Sequence, residues 1–288
     1  MAGTGVVKLG PMFQVGFAIK DADKIAGIWT RDFGFHDWRT KYLEGVDGKG
    51  NPWKAKLVMA YMGTIEYELI EPEIGRIAQS RLLETWGDGI HHVKFAVDNV
   101  AEETNKLKDR PGCRIIWQID RLSYCEIPGG VIVEFVRPPD QWENEKAMGN
   151  DIVNLGDLAQ VGIAVKDIDT VVKQWSDIFG VTSWRETEFK GTEADGSPWK
   201  NRIMSAKISN MNFEFMTPVQ GRRTQAVFLE KHGDGIHHLA YKVKDFEAAT
   251  NKLLAKPGYS LVARHKGQMA YVEIPGGFII ELWPETHP

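Results

Sequence analysis

The chain has 288 residues, enough for about two domains of ordinary size that can each bury a core. Its 43% of hydrophobic residues, 26% of charged residues and net charge of −4 are typical of a soluble globular protein and leave no basic surface for nucleic acid. No apolar run approaches the roughly 20 residues of a membrane span, and residues 1–12 lack a signal-peptide pattern. The two cysteines make no disulfide framework. We therefore expect a cytoplasmic protein without a membrane partner.

The first predicted elements form one β-α-β-β-β unit. Residues Met12–Lys20 alternate strictly, which predicts a strand with one core face and one face of small residues around the amide of Gln14. Asp21 predicts the N-cap of a helix that ends near Gly34. Three strands and a loop follow, with strands near Phe35–Tyr42, Lys56–Tyr61 and Thr64–Ile70 and the loop at Glu44–Asn51.

A second unit of the same plan follows a predicted connecting helix over Glu73–Trp86. The residue pattern predicts a helix at Val100–Leu107 and strands at Ile90–Val97, Arg114–Ile119, Leu122–Ile127 and Val131–Val136. The polar stretch at residues 141–157 then separates these two β-α-β-β-β units from the rest of the chain.

The remainder of the chain repeats this plan. Gly87–His92 returns as Gly233–His238 after 146 residues, and Glu126–Gly130 returns as Glu273–Gly277 after 147. A repeat this long indicates a duplicated domain. We therefore predict an α+β fold of four βαβββ modules in two tandem domains with curved mixed sheets. The predicted segments are a tail at 1–10, domain one at 11–140, a linker at 141–157 and domain two at 158–288.

Each half carries four polar residues in strands that otherwise form a core. They are Gln14, Glu68, His92 and Glu134 in the first half, and Gln160, Glu214, His238 and Glu281 in the second. Glu134 and Glu281 have apolar neighbours on both faces, which is costly unless a cation or hydrogen-bond donors satisfy them. An imidazole and carboxylates in one sheet predict a metal centre for Zn, Ni, Co, Mn or Fe(II).

Plainer interpretations of these residues stay open. A glutamate can lie on an exposed strand, a histidine can bond to backbone, and a glutamine is a weak metal ligand. The residues His91 and His237 should point away from the site and are interpreted as structural. Six further repeated residues could contact a substrate, namely Trp38, Arg39, Tyr124, Trp184, Arg185 and Tyr271, although a strand-end arginine is often only solvated.

The pattern resembles the vicinal oxygen chelate superfamily, which includes glyoxalase I, methylmalonyl-CoA epimerase, fosfomycin resistance proteins and extradiol dioxygenases. The resemblance covers about residues 12–137 and 158–284 and lies in Gln14–Asp21, Gly89–His92 and Gly130–Glu134, with their repeats. It implies that His92, Glu134 and their repeats are metal ligands.

The ordered set Gln, Glu, His, Glu is similar to that of eukaryotic glyoxalase I, whereas epimerases and dioxygenases of the superfamily begin with His. The places of that enzyme's glutathione-binding arginines hold Ala18, Ala164, Asp88 and Asp234. The resemblance therefore implies similar metal chemistry without glutathione as cosubstrate.

Three functions follow as hypotheses. The first is an isomerase, epimerase or lyase that acts on a small oxygenated substrate through an enediolate, with Glu134 or Glu281 as base and Glu68 or Glu214 as second proton-transfer group. The second is an Fe(II) ring-cleaving dioxygenase, and the third is a protein that sequesters a small molecule.

The sequence also raises the question of how the ligands pair. The ligands could come from within one half, or Gln14 and Glu68 could join His238 and Glu281 across the halves. We expect the crossed pairing, in a monomer or a homodimer.

Overall fold

The computed structural model describes residues 6–139, 143–192 and 196–286. Residues 1–5 of the predicted tail, residues 141–142 of the predicted linker, and the domain ends 140 and 287–288 lie outside this range. The predicted domain limits stay predictions. No helix in the described ranges has both the length and the apolar character that a membrane crossing requires.

The first half of the sequence forms eight strands and three helices. They are β1 (Met12–Ala18), α1 (Ala22–Phe33), β2 (Arg39–Val46), β3 (Pro52–Met62), β4 (Ile65–Ile74), α2 (Ser80–Thr85), β5 (Gly89–Ala96), α3 (Val100–Leu107), β6 (Arg114–Ile119), β7 (Leu122–Ile127) and β8 (Val131–Val136). The predicted bounds of α3, β6, β7 and β8 are confirmed.

The second half repeats this order. Its elements are β9 (Leu158–Ala164), α4 (Ile168–Phe179), β10 (Arg185–Thr192), β11 (Pro198–Ile208), β12 (Met211–Gln220), α5 (Thr224–His232), β13 (Gly235–Val243), α6 (Phe246–Leu254), β14 (Ser260–His265), β15 (Met269–Ile274) and β16 (Phe278–Pro284).

Each half builds one eight-stranded sheet. The strand orders are β2-β3-β4-β1-β5-β8-β7-β6 and β10-β11-β12-β9-β13-β16-β15-β14. The pairs β1–β4 and β5–β8 are parallel, whereas β2–β3, β3–β4 and β7–β8 are antiparallel. The sheets are mixed and helices are few, which confirms the predicted α+β class.

Contacts divide the chain into two compact units, and each unit draws on both halves of the sequence. Within the described ranges, one unit holds residues 6–12, 93–139 and 159–238, and the other holds residues 13–92, 143–158 and 239–286.

An equivalent tryptophan stabilises each unit. In the first unit Nε1 of Trp175 donates to the carbonyl oxygen of Pro128 at 2.8 Å. In the second unit, Nε1 of Trp29 donates to the carbonyl oxygen of Pro275 at 3.1 Å. Both indoles are almost fully buried, as expected for helix residues that pack in a core. The repeated Pro-Gly-Gly turn therefore receives the tryptophan of its own unit.

Local capping chemistry explains why α1 and α4 begin and end where they do. The carboxylate of Asp21 accepts from the backbone N–H of Lys24 at 3.0 Å, and Asp167 does the same for Thr170 at 3.1 Å. Gly34 ends α1 with a φ of 76°, a left-handed conformation that glycine adopts without strain. The predicted N-cap and helix end are confirmed.

Two predicted elements are wrong in extent. The connecting helix expected over Glu73–Trp86 is only the short α2, because β4 continues to Ile74 opposite Lys54 of β3 and Gly75 then turns with a φ of 69°. The strand expected at Phe35–Tyr42 is β2, which runs on to Val46 through the start of the predicted loop. In both cases pairing with β3 overrides local composition.

Candidate metal centre

The eight predicted ligands lie on the central strands of the two sheets. The neighbouring strands β4, β1, β5 and β8 carry one each in the first sheet, and β12, β9, β13 and β16 do so in the second. They are Glu68, Gln14, His92 and Glu134, followed by Glu214, Gln160, His238 and Glu281. Seven are buried and Glu214 is partly exposed. Polar groups at this depth are costly unless partners or a cation offset their desolvation.

Three of the four residues in each half offer ligand atoms within 4.8 Å of one another. These groups are Glu68, His92 and Glu134 in the first half and Glu214, His238 and Glu281 in the second. Nε2 of His92 lies 3.7 Å from Oε2 of Glu68. Nε2 of His238 lies 3.9 Å from Oε2 of Glu214. Each group therefore joins one imidazole and two carboxylates.

This grouping corrects one expectation from the sequence. We expected Gln14 and Glu68 to join His238 and Glu281 across the halves. Instead, the ligand atoms of Glu68 group with those of His92, from the same half of the sequence. The cause is that each half completes its own eight-stranded sheet.

A glycine on the neighbouring strand makes room for each imidazole. A Cβ atom added to Gly16 would lie 1.9 Å from Cε1 of His92, and one added to Gly162 would lie 1.8 Å from Cε1 of His238. Both distances are far inside van der Waals contact, so only glycine fits beside the ring. The alternation of β1 predicts Gly16 on a face of small residues, and the repeat of Gln-Val-Gly in β9 is the signal that could have indicated this role.

The first histidine of each pair supports the second. Nδ1 of His91 lies 3.0 Å from Nδ1 of His92, and Nε2 of His91 lies 3.3 Å from the carbonyl oxygen of Ala78. A carbonyl only accepts, so in neutral rings His91 donates through Nε2 and accepts through Nδ1. His92 then donates through Nδ1 and keeps the lone pair of Nε2 for a ligand.

The second half repeats this support. Nδ1 of His237 lies 3.1 Å from Nδ1 of His238, and its Nε2 lies 2.9 Å from Oγ1 of Thr224. Burial lowers the pKa of His238 to about 3. Burial, with the neighbouring His238 and His232, also lowers the pKa of His237 well below its ordinary value. Both rings are therefore neutral near pH 7, which is the form that binds a metal.

A hydrogen-bonded chain positions the amide of Gln14. Its Nε2 donates to Glu66, whose other oxygen lies 3.0 Å from Nη2 of Arg39. Arg39 also pairs with Glu143 at 3.0 Å. Oε1 of Gln14 is buried without a hydrogen-bond partner among the described residues. A buried amide oxygen in this state fits a cation beside it.

The second half lacks this chain. Asn212 replaces Glu66, and its Nδ2 donates to the carbonyl oxygen of Ala159 at 3.2 Å. The buried amide atom without a hydrogen bond is Nε2 of Gln160, so a half-turn of this amide would present its oxygen instead.

The predicted substrate residues fall into three kinds. Tyr124 is the cross-strand partner of Glu134, and Tyr271 is that of Glu281, so each tyrosine lies on the face of a carboxylate. Nε1 of Trp38 donates to Thr30 at 2.8 Å, as Trp184 does to Ser176 at 2.8 Å. These tryptophans anchor the first helix of each half. The exposed Arg185 and the ion-paired Arg39 stay predictions as substrate contacts.

Sequence reasoning missed one charged residue in the first centre. Nζ of Lys94 lies 3.2 Å from Oε2 of Glu134. Lys94 follows His92 by two positions, so the strand alternation could have shown that the two share a face. The repeat position holds Ala240.

Two further groups of residues show what lies outside the centres. Nδ1 of His36 lies 2.8 Å from Asp37, and its Nε2 lies 2.7 Å from the carbonyl oxygen of Lys146, so both ring nitrogens have partners.

Asp88 lies where glyoxalase I has a glutathione-binding arginine, and it accepts from the backbone N–H of Lys20 at 2.9 Å. Asp234 does the same for Lys166 at 3.0 Å. Both aspartates stabilise a loop by accepting a hydrogen bond from its backbone.

Comparison with known proteins identifies the family. A family model for the Glyoxalase/Bleomycin resistance protein/Dioxygenase superfamily matches residues 13–119 and 159–271. The ethylmalonyl-CoA/methylmalonyl-CoA epimerase of Cereibacter sphaeroides is 29% identical over 100 residues, which are 34% of this chain and 69% of that protein.

Solved structures agree on the fold. A triple mutant of 4-hydroxymandelate synthase from Streptomyces coelicolor matches with a TM-score of 0.68 and 14% identity over 98% of this chain and 94% of that chain. A variant of homoprotocatechuate 2,3-dioxygenase from B. fuscum matches with a TM-score of 0.55 and 14% identity over 97% and 72%. The chain thus belongs to the Glyoxalase/Bleomycin resistance protein/Dioxygenase superfamily, the vicinal oxygen chelate proteins, in a tandem two-domain form.

Proposed function

We propose that this chain is a metal-dependent isomerase, epimerase or lyase that moves a proton at a carbon next to a carbonyl or vicinal oxygens. The observation that carries the proposal is the pair of buried groups, each with one imidazole and two carboxylates whose ligand atoms lie within 4.8 Å of one another.

The donor set fits a divalent cation. Two carboxylates, an imidazole and an amide oxygen suit Zn, Ni, Co, Mn or Fe(II) better than a soft metal that prefers thiolates. The proposed ligands are Gln14, Glu68, His92 and Glu134 in one centre and Gln160, Glu214, His238 and Glu281 in the other. A bound cation would polarise a substrate oxygen as a Lewis acid and so acidify the neighbouring C–H bond.

The chain's own residues would move the proton. Glu134 or Glu281 would take it from the carbon, and Glu68 or Glu214 would serve as the second proton-transfer group. A proton that leaves one carbon and returns from the opposite face gives epimerisation, whereas its return to the adjacent carbon gives isomerisation. A carboxylate within reach of the reacting carbon needs no proton relay.

The curated relative suggests a first substrate to test. Its name describes an epimerase of ethylmalonyl-CoA and methylmalonyl-CoA, and the carbon between two carbonyls in such thioesters is a C–H acid. Asp88 and Asp234 accept loop hydrogen bonds at the places of the glutathione-binding arginines of glyoxalase I, so glutathione is not proposed as a cosubstrate.

A ring-cleaving dioxygenase is the second candidate, since a solved structure with this fold over 97% of the chain is named a dioxygenase. At 14% identity that likeness concerns the fold. Non-haem Fe(II) oxygenases typically use two histidines and one carboxylate. Each group here has one histidine and two carboxylates, which favours proton transfer.

Deuterium exchange tests the proposal at the base. Protein reconstituted with Zn²⁺ or Co²⁺ should incorporate deuterium from D₂O into methylmalonyl-CoA or a related thioester, measured by mass spectrometry. Glu281→Gln keeps the size and an oxygen ligand but removes the proton acceptor, so the rate should fall at least about a hundredfold at that centre.

Two controls make the outcome decisive. Glu134→Gln should spare the exchange that depends on Glu281. If the double variant Glu134→Gln, Glu281→Gln binds metal and keeps full exchange activity, neither glutamate is the base. Stoichiometric consumption of oxygen during turnover would favour the dioxygenase function instead. Binding of the thioester without turnover would favour a protein that sequesters a small molecule.

A further inference from the structure

The two centres differ in charge at equivalent places. Lys94 and Glu134 are direct neighbours in the parallel register of β5 and β8, and Nζ of Lys94 lies 3.2 Å from Oε2 of Glu134. The Lys94 side chain is only 12% exposed. In the second half the repeat position is Ala240, whose fully buried methyl group supplies no charge.

This difference changes what each centre offers a cation. Lys94 places a positive charge beside a carboxylate of the first centre, whereas Ala240 supplies none at the equivalent place in the second. A divalent cation placed among the first set would meet the repulsion of Lys94 at short range, where a partly desolvated charge acts strongly.

Access to the centres differs as well. Met59 is the cross-strand partner of Glu68, whereas Ser205 is that of Glu214. The Glu68 side chain is 5% exposed and the Glu214 side chain 16%. A hydroxyl and a partly exposed carboxylate make the second centre the more polar and more accessible one.

One difference acts in the opposite direction. Glu66 orients Gln14 in the first half, and Asn212 gives Gln160 no such support. The amide is a neutral ligand, however, so its orientation contributes less to binding a dication than a full charge beside a ligand carboxylate.

We propose that the centres are unequal. The second, formed by Glu214, His238 and Glu281, binds the divalent cation tightly and carries the turnover, while Lys94 holds the first at weaker affinity. This inference rests on the proposed metal-dependent function.

Calorimetric titration of the chelator-treated full chain with Zn²⁺ alone tests the inference. We expect two binding events whose dissociation constants differ at least about tenfold. Lys94→Ala, which gives the first half the residue of the second, should strengthen the weaker event at least about tenfold and leave the tighter one unchanged. His92→Ala should remove the weaker event, and His238→Ala the tighter one.

Two further variants guard the interpretation. Lys173→Ala removes a lysine whose ion pair with Asp177 lies on the surface, and it should change neither event. Ala240→Lys places the ammonium in the second half and should weaken the tighter event. Because position 240 is buried, circular dichroism must first show that this variant is folded, and Lys94→Ala carries the test by itself.

The failures are distinguishable. Two events of equal affinity with no response to Lys94→Ala would overturn the inequality and leave the proposed function standing. A tighter event that disappears with His92→Ala would reverse the assignment and overturn the inference too. No zinc binding in any variant would overturn the proposed function itself.

Discussion

Single residues decide whether each imidazole can act as a ligand. The carbonyl oxygen of Ala78 sets the donor in His91, and His91 in turn sets the tautomer of His92. In the second half, Nε2 of His237 contacts the hydroxyl of Thr224, a group that can donate or accept. In the first half, one hydrogen-bonded neighbour thus directs the Nε2 lone pair of His92 toward Glu68.

The glycine beside the second imidazole gives a prediction at this scale. The added methyl group of Gly162→Ala would lie 1.8 Å from Cε1 of His238, and the ring, which is fully buried, has to move. We expect overpacking to cost about 1–3 kcal/mol in the free energy of unfolding. The displaced ring should also weaken the tighter zinc event, measured by calorimetry.

Gly27→Ala is the matched control. Gly27 lies in α1, and an added Cβ there meets nothing within 4 Å. This substitution should leave zinc binding unchanged and stabilise the helix by up to about 1 kcal/mol. Unaltered zinc affinity in Gly162→Ala would contradict the packing account of the centre.

Residues of the site could be predicted from sequence where the repeat marked them. Gln14, Glu68, His92 and Glu134 each return in the second half, which separates them from polar residues on an exposed strand. Lys94 does not return, and its contact with Glu134 depends on the pairing register of β5 and β8. Register between distant strands depends on non-local packing, so repetition alone could not indicate this residue.

At the scale of elements, the sequence predicts the ends of helices from adjacent residues, but it does not predict how far a strand extends through pairing with a distant strand. The caps of α1 depend on Asp21 and Gly34, both adjacent to the helix. The extent of β2 depends instead on its ladder with β3, which carries the strand on to Val46 opposite Pro52. Polar and glycine residues in that stretch suggested a loop, and cross-strand hydrogen bonds overrode them.

The end of α1 is joined by a buried carboxylate to a distant part of its own compact unit. Asp32 accepts from Nζ of Lys256 at 2.6 Å, from the hydroxyl of Tyr259 at 2.7 Å and from Nη2 of Arg31 at 2.6 Å. Burial alone would raise the pKa of Asp32, but the hydrogen bonds from Arg31, Lys256 and Tyr259 outweigh it and lower the pKa to about 2.

The lowered pKa predicts how stability depends on pH. Because the folded pKa lies below the ordinary value of 3.8, the contribution of the Asp32 charge is fully present above about pH 4 and is lost as the pH falls toward 2. Asp32→Asn should therefore cost about 2 kcal/mol or more near pH 7 and less near pH 3, measured by urea unfolding.

Asp151→Asn is the control for this prediction. Asp151 pairs with Lys252 at 2.6 Å, but its side chain is 90% exposed, so its removal should change stability little. An equal loss for Asp32→Asn at both pH values would show that packing, rather than the charge, is what Asp32 contributes.

For the whole molecule, the internal repeat indicated the α+β class and the modules, because a shift of 146 residues carries both motifs and strand patterns. The repeat did not indicate which segments pack into each compact unit. Trp29 donates to Pro275, a residue of the other half, through contacts that no local pattern encodes. The same duplication supplied two copies of one centre, which have since diverged at Lys94 and Ala240.

Each half is proposed to hold a divalent cation through its inner histidine and its carboxylates. Elemental analysis after equilibrium dialysis against saturating Zn²⁺ tests this most directly. We expect two ions per chain, and the loss of both in the folded double variant His92→Ala, His238→Ala. A wild-type chain that retains no zinc, or a double variant that still retains two ions, would contradict it.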